Sequence, residues 1–502
     1  MSVLRSLSSY VFRPFRPLLS RLRRHRPALS EEEQQRERNL PPLPPHWNQD
    51  SRWYRGDFGP REGTEIEPLI HGDEYFSDLL SQLRQARERV TIAGWCLTSL
   101  FPLSRDGSHS RDILAEVLRD VSARAEVYVL LWSGAPALFE PNTKMVESMR
   151  RQLLEVAPDV HCELDRTAPF SHDHHQKAVT VDGRVAYVGG MDLTTFQGDR
   201  WDTASHRLRS GVGWHDVQAR LSGQIVHDVE ENFCQRWNAS IGGPLAPIEA
   251  DLPQTGSSSA QLVRTIPSSC YPSFALRGHF GIRHALLSAI ERASRYIYLE
   301  NQYLWDPEIV QALATALHRN AGSPDFRIAV VLPALAYTGR YDNDDHVRDL
   351  QNGAPGSETF AAYSLYATGP GEGRSGYRYE PIYVHAKVSI IDDEWFMIGS
   401  ANLNLRGLAT DSEIAVQSND GAVARELRVR LWAEHLGLDR ASVEAREPIE
   451  LLSHEWHDRA NELARRKRHG LPPSAGHLHP YELGRSPMSR ILDRFQSASL
   501  EH

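Results

Sequence analysis

Apolar residues along this chain follow two alternating rhythms, and the same succession of rhythms occurs twice. Tyr75 to Arg89 carries a helical period and leads into the apolar run Val90 to Trp95, which reads as a buried strand. Its counterpart is Ile282 to Ala293, with Ile282, Leu286, Ala289, Ile290 and Ala293 on one face, followed by the strand Tyr296 to Tyr303. A second helix follows in each copy, Asp112 to Ala123 and Glu308 to Arg319, and each leads into another buried strand, Val127 to Trp132 and Ile328 to Leu332. Strands alternating with helices predict an α/β fold whose mixed or parallel sheets are covered on both faces. Repetition of the whole order predicts an internal duplication.

The duplicated unit ends in a β-branched hairpin. Lys177 to Val181 turns at Asp182-Gly183 into Val185 to Val188, and Lys387 to Ile391 turns at Asp392-Asp393 into Trp395 to Ile398. Residues 1–52 read as a basic segment and a Pro-rich spacer, 53–250 as the first lobe, and 251–265, with Pro253, Gly256 and three consecutive serines, as a linker. Residues 266–440 read as the second lobe and 441–502 as an irregular tail containing Arg465-Arg466-Lys467-Arg468.

Composition sharpens the picture at one point. The chain contains only four lysines, and two stand in identical settings: His175-Gln176-Lys177 with Asp182, and His385-Ala386-Lys387 with Asp392. Where the chain otherwise uses arginine, a retained lysine marks a place that wants a compact point charge against a small anion such as phosphate. On a strand, i and i+2 face one side, so each His and Lys of the catalytic set would project together, while Asp182 and Asp392 at the turns would tie down the hairpins. A small-residue turn follows at the same offset in each copy, Gly189-Gly190-Met191-Asp192 and Gly399-Ser400-Ala401-Asn402. Gly190 permits close backbone approach, and Asp192, Ser400 and Asn402 supply polar contacts to a substrate phosphate. A nucleophilic histidine needs its second nitrogen fixed, and Asp216 and Glu413, each at a strand start, are the expected orienting carboxylates.

Charge and cysteine content narrow the partners. A net charge of −9 and pI near 6.2 argue against nucleic acid as a ligand, since tracking it requires broad basic faces. Residues 1–30 are nevertheless acid-free, with Arg5, Arg13, Arg16, Arg21, Arg23, Arg24 and Arg26 among apolar residues, a composition able to lie on an anionic membrane surface. No apolar run is long enough for a transmembrane helix. The expected location is cytoplasmic and peripheral to a membrane, with an organellar transit peptide as the alternative. Four widely spaced cysteines fit neither a disulfide framework nor a zinc site, and His469, His477 and His479 match no ligand spacing, so no metal or cofactor is expected.

His174-His175-Gln176-Lys177, Val188-Gly189-Gly190-Met191-Asp192-Leu193, Arg200-Trp201-Asp202-Thr203, Trp214-His215-Asp216, Glu300-Asn301-Gln302-Tyr303, Tyr383-Val384-His385-Ala386-Lys387, Ile398-Gly399-Ser400-Ala401-Asn402 and Asp411-Ser412-Glu413 together resemble the phospholipase D superfamily, in particular the catalytic region of phosphatidylcholine-hydrolysing members. The resemblance runs from about Val90 to Asn419. It implies a bilobal fold of two similar α/β/α halves with the active site at their junction. It also implies a phosphohistidine on His175, with His385 as the acid that later activates water or a small alcohol. Cardiolipin synthase-like transfer and nuclease chemistry are the alternatives within the same superfamily.

Overall fold

The structure is a computed structural model and describes residues 53–484, apart from 106–111, 137–138, 170–171, 209–212, 250–253, 269, 324, 335–339, 355, 357–358 and 372–375. The basic segment expected over 1–52 therefore lies outside the described residues.

In the first half the strands are β1 (Arg61–Ile70), β2 (Arg89–Gly94), β3 (Glu126–Trp132), β4 (His161–Asp165), β5 (Ala178–Val181), β6 (Val185–Gly189), the short β7 (Trp214–His215) and β8 (Val217–Ser222). The second half has β9 (Ser258–Ile266), β10 (His279–Phe280), β11 (Tyr296–Glu300), β12 (Arg327–Val331), β13 (Phe360–Pro370), β14 (Tyr377–Pro381), β15 (Tyr383–Val384), β16 (Val388–Ile391), β17 (Trp395–Gly399), β18 (Glu413–Ser418) and β19 (Leu478–Pro480).

Their pairings repeat strand for strand. The first sheet runs β4–β3–β2–β5–β6–β8–β1, with β2, β3 and β4 parallel and the remaining neighbours antiparallel. The second runs β13–β12–β11–β16–β17–β18–β9 with the same parallel trio and the same antiparallel flank. The edge strands β1 and β9 pair with each other through Arg61↔Ala260 and Thr64↔Ser258, and β7 pairs in parallel with β15. The duplication expected from periodicity is thus present down to strand order and direction.

Two parts of the expected domain plan differ in the structure. Ser258–Ile266, placed largely in the linker, forms β9, which is buried along nearly its whole length because β18 and β1 flank it. Residues after 440, expected to be irregular, include the helix Trp456–Arg468, whose Trp456, Ala460 and Leu463 are buried at helical spacing. β19 then adds an edge to β13.

Packing explains why the halves are not independent. One apolar cluster belongs to the first half (Leu79, Ile92, Leu118, Val129) and another to the second (Leu286, Leu299, Leu313, Val330). The largest draws on both: Ile66, Ala178, Val217 and Val229 pack with Leu262, Tyr298, Val388, Ile398, Trp432 and Trp456. The two sheets therefore share a core where the motif hairpins meet. No helix among the described residues is long and apolar enough to cross a membrane. Cys96, Cys162, Cys234 and Cys270 are free and buried.

Candidate active site

Both motif hairpins turn through two consecutive residues of positive φ, Asp182 (52°) with Gly183 (62°) and Asp392 (59°) with Asp393 (55°), the geometry that matches strand twist in a two-residue hairpin. The Asp182 carboxylate accepts from the amides of Arg87 (2.9 Å), Glu88 (2.8 Å) and Arg89 (3.0 Å). Asp392 does the same for Ser294 (2.8 Å), Arg295 (2.9 Å) and Tyr296 (2.6 Å). These two aspartates do not join the histidines. They pin each hairpin to the start of β2 or β11, a purely positioning contact.

The other end of each hairpin carries the histidine and lysine, and here the halves exchange partners. The chain segment Asp173-His174-His175 runs beside Asp411-Ser412-Glu413, so that His175 N donates to Ser412 O (2.8 Å) and Ser412 N to Asp173 O (2.9 Å). On the other side His385 N donates to His215 O (2.8 Å), extending the β7–β15 pairing. As a result His175 Nδ1 meets the Glu413 carboxylate at 2.8 and 3.0 Å, and His385 Nδ1 meets Asp216 Oδ2 at 2.6 Å. Each imidazole is oriented by the opposite half, which leaves its Nε2 directed at the shared junction.

The lysines lie beneath the histidines. Lys177 Nζ donates to His175 O (2.8 Å) and pairs with Asp192 Oδ2 (3.1 Å), while Lys387 Nζ donates to His385 O. The counterpart of Asp192 is Asn402, whose buried Oδ1 has no hydrogen-bond partner among the described residues. Lys177 is thus neutralised locally, whereas the matching position beside Lys387 offers no carboxylate.

Gly190 and Ser400 occupy equivalent places, each beside one of the orienting acids. A Cβ at Gly190 would stand 2.1 Å from Asp216 Oδ1, so only glycine leaves room for that carboxylate. Ser400 Oγ donates to Glu413 and accepts from Ile414 N (3.0 Å).

Burial dominates the electrostatics. It drives both His175 and His385 well below the ordinary imidazole range, with Lys177 and Lys387 adding to the effect on each. Glu413 is pushed well above the carboxylate range by burial, against the pull of Lys177 and Ser400, and Asp216 is raised for the same first reason. Burial, with Lys177 beside it, pulls Lys387 down to about 7 against the opposing carboxylates of Asp216, Glu413 and Asp192. The neutral imidazole is the state of a nucleophile or general base, and an arriving phosphate would favour protonation of one ring.

Aromatic rings wall the junction. Trp95 stands edge-on to His175 (6.2 Å between centroids), stacks on Trp132 and contacts Phe196. Trp214 lies against His385 (4.5 Å), and the Arg200 guanidinium stands 3.6 Å over its ring.

A buried histidine network behind Asp216 was not anticipated. His215 Nε2 meets Glu300 Oε2 (2.6 Å), His435 Nε2 meets Glu300 Oε1 (2.8 Å), and Glu434 binds His71 (2.8 Å) and His206 (3.0 Å). His71, His206, His215 and Glu434 present ligand atoms within 4.8 Å of one another, as do His215, Glu300 and His435. Such a set of imidazoles and a carboxylate could hold a divalent metal. His215 and Glu300 stood in the quoted motifs, but Glu434 and His435 carry no local signal; they enter from a helix more than 200 residues away from His215.

Comparison with known proteins agrees with this geometry. Residues 286–434 match the family model described as cardiolipin synthase, PLD-like domain. Phospholipase D A of Dictyostelium discoideum is 25% identical over 76% of this chain and 36% of its own length. Phospholipase D alpha 1 of Arabidopsis thaliana is 25% identical over 83% of this chain and 71% of its own length. The chain thus spans about a third of the first of these relatives. A crystal structure of phosphatidylserine synthase from Haemophilus influenzae shares the fold, with a TM-score of 0.52 and 12% identity over 86% of this chain and 93% of that one.

Proposed function

We propose that this chain, which is related to the phospholipase D superfamily, is a phosphodiesterase that cleaves the distal phosphodiester of a glycerophospholipid to phosphatidic acid and a free alcohol. The observation that carries the reading is the crossed pair of His–carboxylate contacts, His175 with Glu413 and His385 with Asp216, above two buried lysines. In this reading His175 Nε2 attacks phosphorus while Glu413 holds Nδ1–H. The bond from phosphorus to the head-group oxygen breaks, and that oxygen takes a proton from His385. Lys387, and Lys177 as its charge is released from Asp192, neutralise the non-bridging oxygens; removing one such donor costs ~10² to 10³ in rate in comparable sites. His385, now a base, deprotonates water, which attacks the phosphohistidine and frees phosphatidic acid. A small alcohol in place of water would give a new phosphodiester.

Purified protein on mixed phosphatidylcholine, phosphatidylethanolamine and phosphatidylglycerol vesicles, analysed by mass spectrometry with and without ethanol, tests this. Phosphatidic acid alone, and phosphatidylethanol when ethanol is present, are the expected products. Absence of any lipid turnover would overturn it. The match to the cardiolipin synthase description supports a second reading, phosphatidyl transfer to phosphatidylglycerol, and cardiolipin among the products would establish that one instead.

A further inference from the structure

Large apolar side chains are left in solvent at six described positions, and the elements carrying four of them lie at the end of the strands where the site is. Among the described residues they are Leu100, Phe139, Ile241, Leu276, Tyr377 and Leu471. Single exposed apolar residues are ordinary, but several on the same end of the strands as the site call for an explanation. Leu100 (70% exposed) follows β2 and Phe139 (37%) follows β3, on loops that leave the C-terminal ends of parallel strands. That is also the end where the site lies: Trp95, just after β2, stands beside His175, and Gln302, just after β11, donates to Tyr383 OH (2.6 Å) two residues before His385.

The β13–β14 hairpin rises from this same face. Ile382 N donates to Leu365 O (2.9 Å), close to the level of His385. Beyond it Tyr366–Pro370 pairs with Tyr377–Pro381, which carries the hairpin about 15 Å further at the usual rise of a strand. Tyr377 at its outer end is exposed, and Tyr377 N donates to Gly470 O (2.9 Å) while Tyr379 OH donates to Leu471 O (2.8 Å). These contacts fasten the basic end of the last helix, Arg465-Arg466-Lys467-Arg468, and the exposed Leu471 against the hairpin. Arg466 and Lys467 have carboxylates nearby (Glu462 and Glu482), and Arg378 has Glu380, but the exposed Arg465 and Arg468 have no ion pair among the described residues.

We infer that this face, with Leu100, Phe139, Tyr377 and Leu471 as apolar anchors and Arg378, Arg465 and Arg468 as its charged rim, docks the protein on an anionic phospholipid bilayer. The inference rests on the reading of the substrate as a membrane lipid and deepens it by assigning the surface that reaches that lipid. Apolar tips enter the headgroup boundary while guanidinium groups stay at the anionic surface. The mouth of the site then opens onto the bilayer, with the aromatic wall of Trp95 and Phe196 at its edge.

Because the native cysteines are buried, single cysteines at Leu100, Phe139, Tyr377 and Leu471 can carry an environment-sensitive fluorophore, with Glu88→Cys at the opposite strand ends as control. On full-length protein with phosphatidylcholine vesicles containing phosphatidic acid, the four labels should shift to the blue and the Glu88 label should not. Unshifted labels at the four positions, or an equal shift at Glu88, would overturn the docking face. Replacing all four anchors by Ser should weaken vesicle partition by at least about 10-fold. R378Q, R465Q and R468Q combined should remove the preference for phosphatidic acid over pure phosphatidylcholine vesicles. Turnover of dissolved dibutyroylphosphatidylcholine separates this from the function itself. The Ser variant should keep that turnover. Loss in both assays would assign these side chains to the site and sink the docking role, whereas wild-type protein inactive on the dissolved lipid would refute the phospholipase reading while the labels still decide the face.

Discussion

At the residue scale, the exchange of carboxylates between halves makes each histidine dependent on a group 169 or 238 positions away. Replacing Glu413 by Gln keeps the shape and removes the charge that holds the His175 tautomer, so kcat should fall by ~10² to 10⁴ with little change in KM, as for an orienting carboxylate in other His-dependent sites. Gly190→Ala should do comparable damage through Asp216, since its Cβ would collide with Oδ1, and a crystal structure or a loss of activity with retained fold would show it. Lys387 sets a pH limb. With its proton held only to about 7 in the empty site, kcat/KM should decline as pH rises above about 7, while kcat, measured with the phosphate bound, should hold to higher pH. Stability runs in the opposite direction. Between about 7 and the ordinary 10.5 the unfolded chain binds the proton and the folded one does not, so stability rises with pH across that window. Lys387→Met should therefore raise the melting temperature most below pH 7, with the gain fading toward alkaline pH. The histidines, lysines and two orienting acids were legible in sequence because they repeat. Which acid serves which histidine was not, since the pairing is set by where two sheets meet and leaves no trace in local spacing.

At the element scale, the motif aspartates act as clamps. Asp182, itself at positive φ, satisfies three backbone amides at the head of β2, and a shorter apolar side chain strands them. Asp182→Ala should lower unfolding free energy by about 2 to 4 kcal/mol in urea denaturation, the range for losing charge-assisted hydrogen bonds plus local strain. Activity per folded molecule at low temperature should drop far less than in Lys177→Ala. Equal losses would mean that the hairpin's tether governs the chemistry directly. The β-branched hairpins and amphipathic helices were readable because propensity and packing agree there. Helix Pro307–Arg319 even announces its start, Asp306 accepting from Glu308 N and Ile309 N ahead of Pro307. Strand Ser258–Ile266 was hidden because its serines read as linker, while tertiary pairing on both sides outweighs their propensity. The final helix was masked by its charge, although Trp456, Ala460 and Leu463 already mark a buried stripe.

At the scale of the whole molecule, duplication and independence part company. The two sheets repeat each other, which would allow two cores and two unfolding steps, yet the largest apolar cluster takes strands from both and closes over Trp432 and Trp456. The crossed His–carboxylate contacts and the β1–β9 and β7–β15 pairings add polar links across the same junction. Neither half can open without exposing apolar surface of the other, so the cost of partial unfolding approaches that of unfolding both. Calorimetry should then show one transition for the two halves together. Trp432→Ala, at a fully buried position in the second half, should shift that single transition downward by the equivalent of about 3 to 5 kcal/mol rather than split it. The same variant should lose protection from amide exchange in β5 and β6 of the first half along with β16 and β17. Two resolved transitions, with only the second-half strands destabilised, would mean that the shared cluster is a contact between finished domains and that the junction can open to admit a lipid.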